Sequence, residues 1–324
     1  MADTEGVASR QLALDALARI DDDGAYANLV LSGVLDRPGP GGAALSTHDK
    51  GFVTDLVYGT VRMQRALDFL VDRFLTSDPP PAARRALRLG AYQLAFRDDL
   101  PDYAVVSATV SASPKRFRGL VNAVLRKVAT ASVDYPDDAT RLSYPDWIVE
   151  QLSSDLGEQD ALEALAAMDR APSVHRRDDG YVQDLASQWV AALVGAQAGE
   201  LVADLCAAPG GKATAMAATG ATVVAADLNP VRVGLISTNA HTVHSPALFP
   251  VVAEGLGAPF RRGSFDRVLL DAPCSGLGVL RRRADARWRI DQEAPARLGT
   301  LARRLIDAAV PLVRPGGTLV FSVC

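Results

Sequence analysis

Three short apolar runs in this chain each close on a cysteine: LVADLC on Cys206, VLLDAPC on Cys274 and TLVFSVC on Cys324. In an open parallel sheet, ligands and chemistry gather at the carboxyl ends of the strands, so thiols in those places predict a shared site that uses sulfur as a nucleophile.

After the first run comes CAAPGGKAT, a turn of small residues opening a helix. Gly210 and Gly211 let backbone amides approach a ligand closely there. A phosphate-binding loop needs GxxxxGK[ST], but Cys206 stands five before Gly211 and Ala213 follows Lys212; GxGxxG fails as well. An adenosyl ligand without phosphates, such as S-adenosylmethionine, is left. Its ribose diol calls for an acid after the second strand, where AADLNP supplies Asp227, and Glu254 after the third β-like run can accept from an adenine amino group. The alternative for either acid is ordinary strand-end capping; acids after two successive strands favour the ligand.

The fourth run ends in DAPCSGLG, which places Asp271 toward cofactor and substrate, stiffens the turn with Pro273 and presents Cys274. Downstream, VLRRRADARWR gathers Arg281, Arg282, Arg283, Arg287 and Arg289 around Trp288, a composition suited to phosphate contact and base stacking. A salt-bridged surface helix is the competing explanation.

These residues need a sheet to hold them. Five β-like runs, Leu201–Leu205, Thr222–Ala226, Pro250–Ala253, Arg267–Leu270 and Thr318–Val323, alternate with helical segments, which predicts a parallel, doubly wound α/β sheet. The first half shows helical periodicity from Val7 to Ile20, then at 50–62, 65–75, 82–96, 105–112 and 120–129, broken by RPGPGG at 37–42, Pro79–Pro81 and SPKRFRG. An all-helical domain is predicted over 1–135, a linker with a short helical subdomain over 136–185, and the α/β domain over 186–324. Basic clusters at Arg84, Arg85 and Arg88 and at Lys115, Arg116, Arg118, Arg126 and Lys127 read singly as solvated helix faces. With Phe117 and Asn122 nearby, the two together favour an RNA-contacting surface.

Composition narrows the classes. With 324 residues, 48% of them hydrophobic and 22% charged, the chain can bury a sizeable core in about two domains. No apolar stretch approaches the roughly 18–20 residues of a membrane span, and MADTEGVASR lacks the regions of a signal peptide, so a cytoplasmic protein without membrane attachment is expected. Three cysteines without CxxC spacing make neither a disulfide framework nor a zinc site. His175 reads as solvated, and the His241/His244 pair lacks a nearby carboxylate or thiol, so no metal is expected. The net charge of −4 opposes bulk nucleic-acid binding but leaves local basic patches free to bind RNA.

The segments RGLVNAVLRK, VADLCAAPGGK, AADLNP, FDRVLLDAPCSGLGVLRRRADARWR and LVRPGGTLVFSVC occur in one order across most of the chain. Through them it resembles the Sun/RsmB-like family of ribosomal RNA 5-methylcytosine methyltransferases, and the pairing of CAAPGGK with DAPCSG is the specific element. The resemblance implies an all-α, NusB-like RNA-binding domain followed by a class I methyltransferase domain, acting on small-subunit ribosomal RNA; a monomer is expected. It implies that Cys206, Ala207, Ala208, Pro209, Gly210, Gly211, Lys212, Asp227, Glu254 and Asp271 bind S-adenosylmethionine, that Cys324 is the nucleophile and that Cys274 assists product release. Cys206 itself is expected to pack as a small apolar residue beside the turn.

Carbon 5 of cytosine is too electron-poor to take a methyl group directly, so a thiolate must first add to carbon 6. Asp271 can then hydrogen-bond the base, and Cys274 can remove the carbon 5 proton. The target base must leave its stack to reach either thiol. Departures from the family are the stop at Cys324, from which a sheet without the family's last strands, or a fragment of a longer enzyme, is expected, a short segment before CAAPGGK, and Glu254 where aspartate is usual. A terminal carboxylate beside Cys324 is expected to raise its thiol pKa above the usual value of about 8.5. Two further readings stay open: Cys274 as the nucleophile, and a non-catalytic RNA-binding or assembly protein.

Overall fold

The computed structural model describes residues 2–36 and 44–323; the RPGPGG segment and Cys324 lie outside the described residues. The chain divides into two compact units, one of residues 1–171 with 279–290, the other of 172–278 with 291–324. No helix among the described residues is long and apolar enough to cross a membrane.

The first unit is helical: α1 (Ala2–Asp22), α2 (Ala27–Leu35), α3 (Thr47–Arg62), α4 (Gln64–Asp72), α5 (Pro81–Phe96), α6 (Asp102–Ala112), α7 (Arg118–Thr130), α8 (Asp138–Arg141), α9 (Asp146–Leu156) and α10 (Glu158–Met168). Local signals set the starts: Ser46 Oγ accepts from Asp49 N at 3.1 Å to open α3, and Pro81 stands in the first turn of α5. Leu17, Leu56, Leu67, Leu87 and Leu125 meet in one core. α3 and α5 approach so closely that a Cβ at Gly59 would lie 1.9 Å from Tyr92 Cζ.

Two expectations change within this unit. Arg84, Arg85 and Arg88 pair with Asp68 and Asp72 of α4, Asp22 at the end of α1 and Asp78 of the loop before α5, so this cluster is neutralised within the unit. The arginine-rich segment 279–290 folds into the helical unit. Arg287 is 0% exposed, its guanidinium 3.8 Å over the Tyr144 ring, 3.0 Å from Asp169 Oδ1 and 3.1 Å from the Ser143 carbonyl. Trp288 Nε1 donates to the Val61 carbonyl at 2.7 Å, and Asp285 accepts from Ala27 N at the start of α2. Arg287 therefore does not face RNA: a cation needs partners when buried, and these are supplied from inside the protein; Trp288 is half-buried against the same core.

The second unit is the predicted doubly wound sheet: β1 (Leu201–Asp204), β2 (Thr222–Asp227), β3 (Leu248–Val252), β4 (Phe265–Asp271) and β5 (Val313–Ser322), all parallel in the order β3-β2-β1-β4-β5. One face packs on α11 (Leu185–Val194), α12 (Gly211–Ala217) and α13 (Pro230–Thr242) through Val202, Val223, Leu269 and Val320. The other packs on α14 (Ala294–Ala309) through Ala203, Val268 and Leu270. Burial on both faces is why the strands read as continuous apolar runs. β5 begins earlier than its apolar pattern suggests because the RPGG stretch is absorbed by a register shift against β4, between Phe265 and Arg267.

The expected linker is divided. Residues 138–168 form α8, α9 and α10 of the helical unit, where Arg65 binds Thr140, the Tyr144 carbonyl and Asp146. Residues 172–184 instead form a strap on the sheet unit, with an antiparallel bridge between Arg176 and Val182.

Candidate active site

Strand order reverses between β1 and β4, and β1, β2 and β4 each end on an aspartate: Asp204, Asp227 and Asp271. A cavity of about 240 Å³ opens at the ends of β1 and β4, lined by Tyr181, Gln183, Asp204, Cys206, Lys212 and Asp271, with Ala207, Ala208, Pro209 and Gly211 completing the turn.

The turn is held from several sides. Gly210 has φ +103°, and a Cβ there would lie 3.2 Å from Ile236 Cα, so both conformation and space demand glycine. Arg177 from the strap donates to the Gly211 carbonyl at 2.6 Å, to Thr214 Oγ1 at 3.1 Å and to Gln183 Oε1 at 3.0 Å. Arg232 donates to the Ala208 carbonyl and Asn239 to the Pro209 carbonyl, both at 2.8 Å.

Electrostatics separate the acids. Asp271 Oδ2 lies 2.6 Å from Lys212 Nζ, and its Oδ1 accepts from Ser322 Oγ. Asp227 accepts from Ala208 N at 3.3 Å and Asn229 N at 3.1 Å and sits 3.5 Å from Arg232. These bonds give it a strand-end capping role. Asp204 is 1% exposed and neither carboxylate oxygen makes a hydrogen bond of ordinary geometry. Burial, and then the charge of Asp271, pushes its carboxyl up to about 7, while the Lys212 ammonium and the Cys206 backbone amide act in the opposite direction. Burial and the same acids push the Cys206 thiol up to about 12, so it stays protonated and packs beside the turn.

The remaining expected residues are spread more widely. Glu254 is exposed just after β3. Cys274 is half-buried in the loop after β4 and, like Cys206, makes no disulfide. Cys324 lies outside the described residues. Lys115 and Arg116 are exposed, while Arg118 donates to the Ser111 and Ser113 carbonyls at the end of α6. Arg281 donates to the Arg170 and Ala171 carbonyls, Arg282 is half-buried, and Arg283 is exposed.

Sequence reasoning passed over Asp204, Arg177, Tyr181 and Gln183. For Asp204 the signal was present, since it ends an apolar strand just as Asp227 and Asp271 do. The strap carries no such signal, because its role depends on a tertiary contact with Gly211.

Comparison with known proteins follows the same division. Residues 191–324 match the family described as 16S rRNA methyltransferase RsmB/F, and residues 7–130 match the NusB family. Ribosomal RNA small subunit methyltransferase B of Thermus thermophilus is 35% identical over 97% of this chain and 83% of its own. A Bacillus subtilis protein named "Probable ribosomal RNA small subunit methyltransferase B" is 29% identical over 97% of this chain and 84% of its own. Among solved structures, PH0851 superposes with a TM-score of 0.74 over 99% of this chain and 85% of that one at 20% identity, a likeness of fold.

Proposed function

The chain belongs to the RsmB/F family of 16S rRNA methyltransferases, and from that premise we propose that it methylates carbon 5 of a cytosine in small-subunit ribosomal RNA through a covalent cysteine adduct. The observation that carries this reading is the Lys212–Asp271 pair at the end of β4, at the switch point and directly before Pro273 and Cys274.

The site suits S-adenosylmethionine on its own chemistry: a glycine turn that admits backbone to a ligand, and strand-end acids for hydroxyls and positive charge. Bound there, the donor supplies an electrophilic methyl group. Cys206, Ala207, Ala208, Pro209, Gly210, Gly211 and Lys212 would form or flank its cradle, and Asp227 and Glu254 would hold its adenosine end.

Cys324 adds as thiolate to carbon 6 of the flipped cytosine, and the new S–C bond makes carbon 5 nucleophilic. Asp271, fixed by Lys212 and Ser322, hydrogen-bonds the base and stabilises the adduct. After carbon 5 has taken the methyl group, Cys274 removes its proton. The electron pair re-forms the C5–C6 double bond and expels the Cys324 thiolate. Lys115, Arg116 and Arg283 are the exposed cations offered to phosphate.

The test is transfer of labelled methyl from S-adenosylmethionine to undermethylated small-subunit ribosomal RNA, with nucleoside analysis of the product. Label in 5-methylcytidine is expected; label only in another nucleoside would refute the carbon 5 assignment.

A further inference from the structure

We propose that the groove between α6 and α7 of the helical unit binds unpaired nucleotides of the RNA substrate, with Tyr103 stacking on a base, Asn122 reading its edge and Arg126 holding the adjoining phosphate. The proposal rests on the ribosomal RNA reading and deepens it, by giving the substrate a second point of attachment besides the strand-end cavity. The groove, about 590 Å³, is lined by two facing stripes at helical spacing: Tyr103, Val106 and Val110 from α6, and Asn122, Arg126 and Ala129 from α7.

Packing decides which residues are left for the groove. Val121, Val124, Leu125 and Val128 of α7 are buried, and Leu125 sits so close to α5 that a Cβ at Gly90 would lie 2.3 Å from its Cδ1. Asn122, Arg126 and Ala129 are thereby turned away from the core. The connection between the two helices is held by Arg118, which donates to the Ser111 carbonyl at 2.6 Å and the Ser113 carbonyl at 3.1 Å. These bonds satisfy carbonyls at the end of α6 and pre-form the hairpin.

Three groups on the wall have no work inside the protein. Tyr103 is 80% exposed in the first turn of α6. Among the described residues, neither its hydroxyl, the half-buried Asn122 amide nor the Arg126 guanidinium has a hydrogen-bond or ionic partner. A ring, an amide that both donates and accepts, and a cation over the apolar floor of Val106, Val110 and Ala129 match the face, the edge and the phosphate of a nucleotide. Charge agrees, since Arg126, with the exposed Lys115 and Arg116 in the connection, outweighs Asp102 at the far end. An apolar peptide laid here would strip water from Asn122 and give it no partner. In a duplex the base faces are closed by stacking, so the site selects unpaired RNA.

The experiment is fluorescence anisotropy of the full chain, across a range of salt, with a short labelled single-stranded RNA of mixed sequence and with the same strand paired in a duplex. Tyr103→Ala is expected to weaken single-strand binding about tenfold, while Tyr103→Phe, which keeps the ring, stays within about twofold of wild type. Stacking releases no counter-ions, so both keep the wild-type salt slope, whereas Arg126→Ala lowers it by about 0.7. Asn122→Ala should alter the ranking of homopolymers of the different bases. All of these side chains stand on the groove wall, and unchanged melting temperatures show that the variants are folded. Wild-type affinity in Tyr103→Ala would overturn the proposal, assign the groove to a protein partner and leave the ribosomal RNA reading intact. Equal losses in Tyr103→Ala and Tyr103→Phe, or a wild-type chain that prefers the duplex, would overturn it as well. A wild-type chain that binds neither the single strand nor undermethylated small-subunit ribosomal RNA would overturn both.

Discussion

Lys212 Nζ lies 2.6 Å from Asp271 Oδ2, while Ser322 Oγ donates to the other oxygen of the same carboxylate. Asp271 is thereby fixed from α12 on one side and from β5 on the other. Each oxygen keeps a lone pair for an incoming base, and the Lys212 charge offsets that of the carboxylate.

Replacing Asp271 by asparagine keeps the shape but removes the charge and the ion pair. We expect kcat for methyl transfer to fall by about 10² to 10³, with a smaller change in cofactor affinity. Steady-state kinetics check this, and a variant within about threefold of wild type would show that Asp271 does not stabilise the adduct.

Asp204 makes stability depend on pH. In the unfolded chain an aspartate ionises near about 3.9, whereas in the folded chain this one keeps its proton to about 7. Between those values the folded state binds more protons, so this group's contribution to stability declines as pH rises from about 4 to about 7. Asp204→Asn should therefore melt above wild type at pH 8, and by a smaller margin at pH 5. Equal margins at the two pH values would contradict the assignment.

Much of this was legible from the sequence because it is local. The glycine turn, the strand-end acids and the apolar runs announce a doubly wound sheet, and Asn229 with Pro230 marks the start of α13, where Asn229 Oδ1 accepts from Val231 N at 2.9 Å. What stayed hidden is tertiary. Arg287 reads in sequence like any arginine of a basic loop, yet it is spent on Asp169, Ser143 and Tyr144, residues more than a hundred positions away. Arg84 and Arg88 look like a phosphate patch only until Asp68 and Asp72 are folded against them.

That division predicts two different phenotypes among the arginines and lysines. Arg287→Ala leaves Asp169 buried without its cation and should cost about 3–5 kcal/mol in the helical unit, measured by denaturant unfolding. The double variant Lys115→Ala with Arg116→Ala should leave stability unchanged, weaken RNA binding and lower the salt slope by up to about 2. A wild-type salt slope in the double variant would remove both residues from the RNA surface.

In the proposed mechanism two thiols divide the labour, and trapping the covalent intermediate distinguishes their roles. Full-length protein carrying Cys274→Ala, incubated with S-adenosylmethionine and undermethylated small-subunit ribosomal RNA, should accumulate a denaturant-resistant protein–RNA adduct, because Cys324 still attacks but the carbon 5 proton is not removed. Cys324→Ala should form none. An adduct with Cys324→Ala and none with Cys274→Ala would reverse the roles and contradict the account.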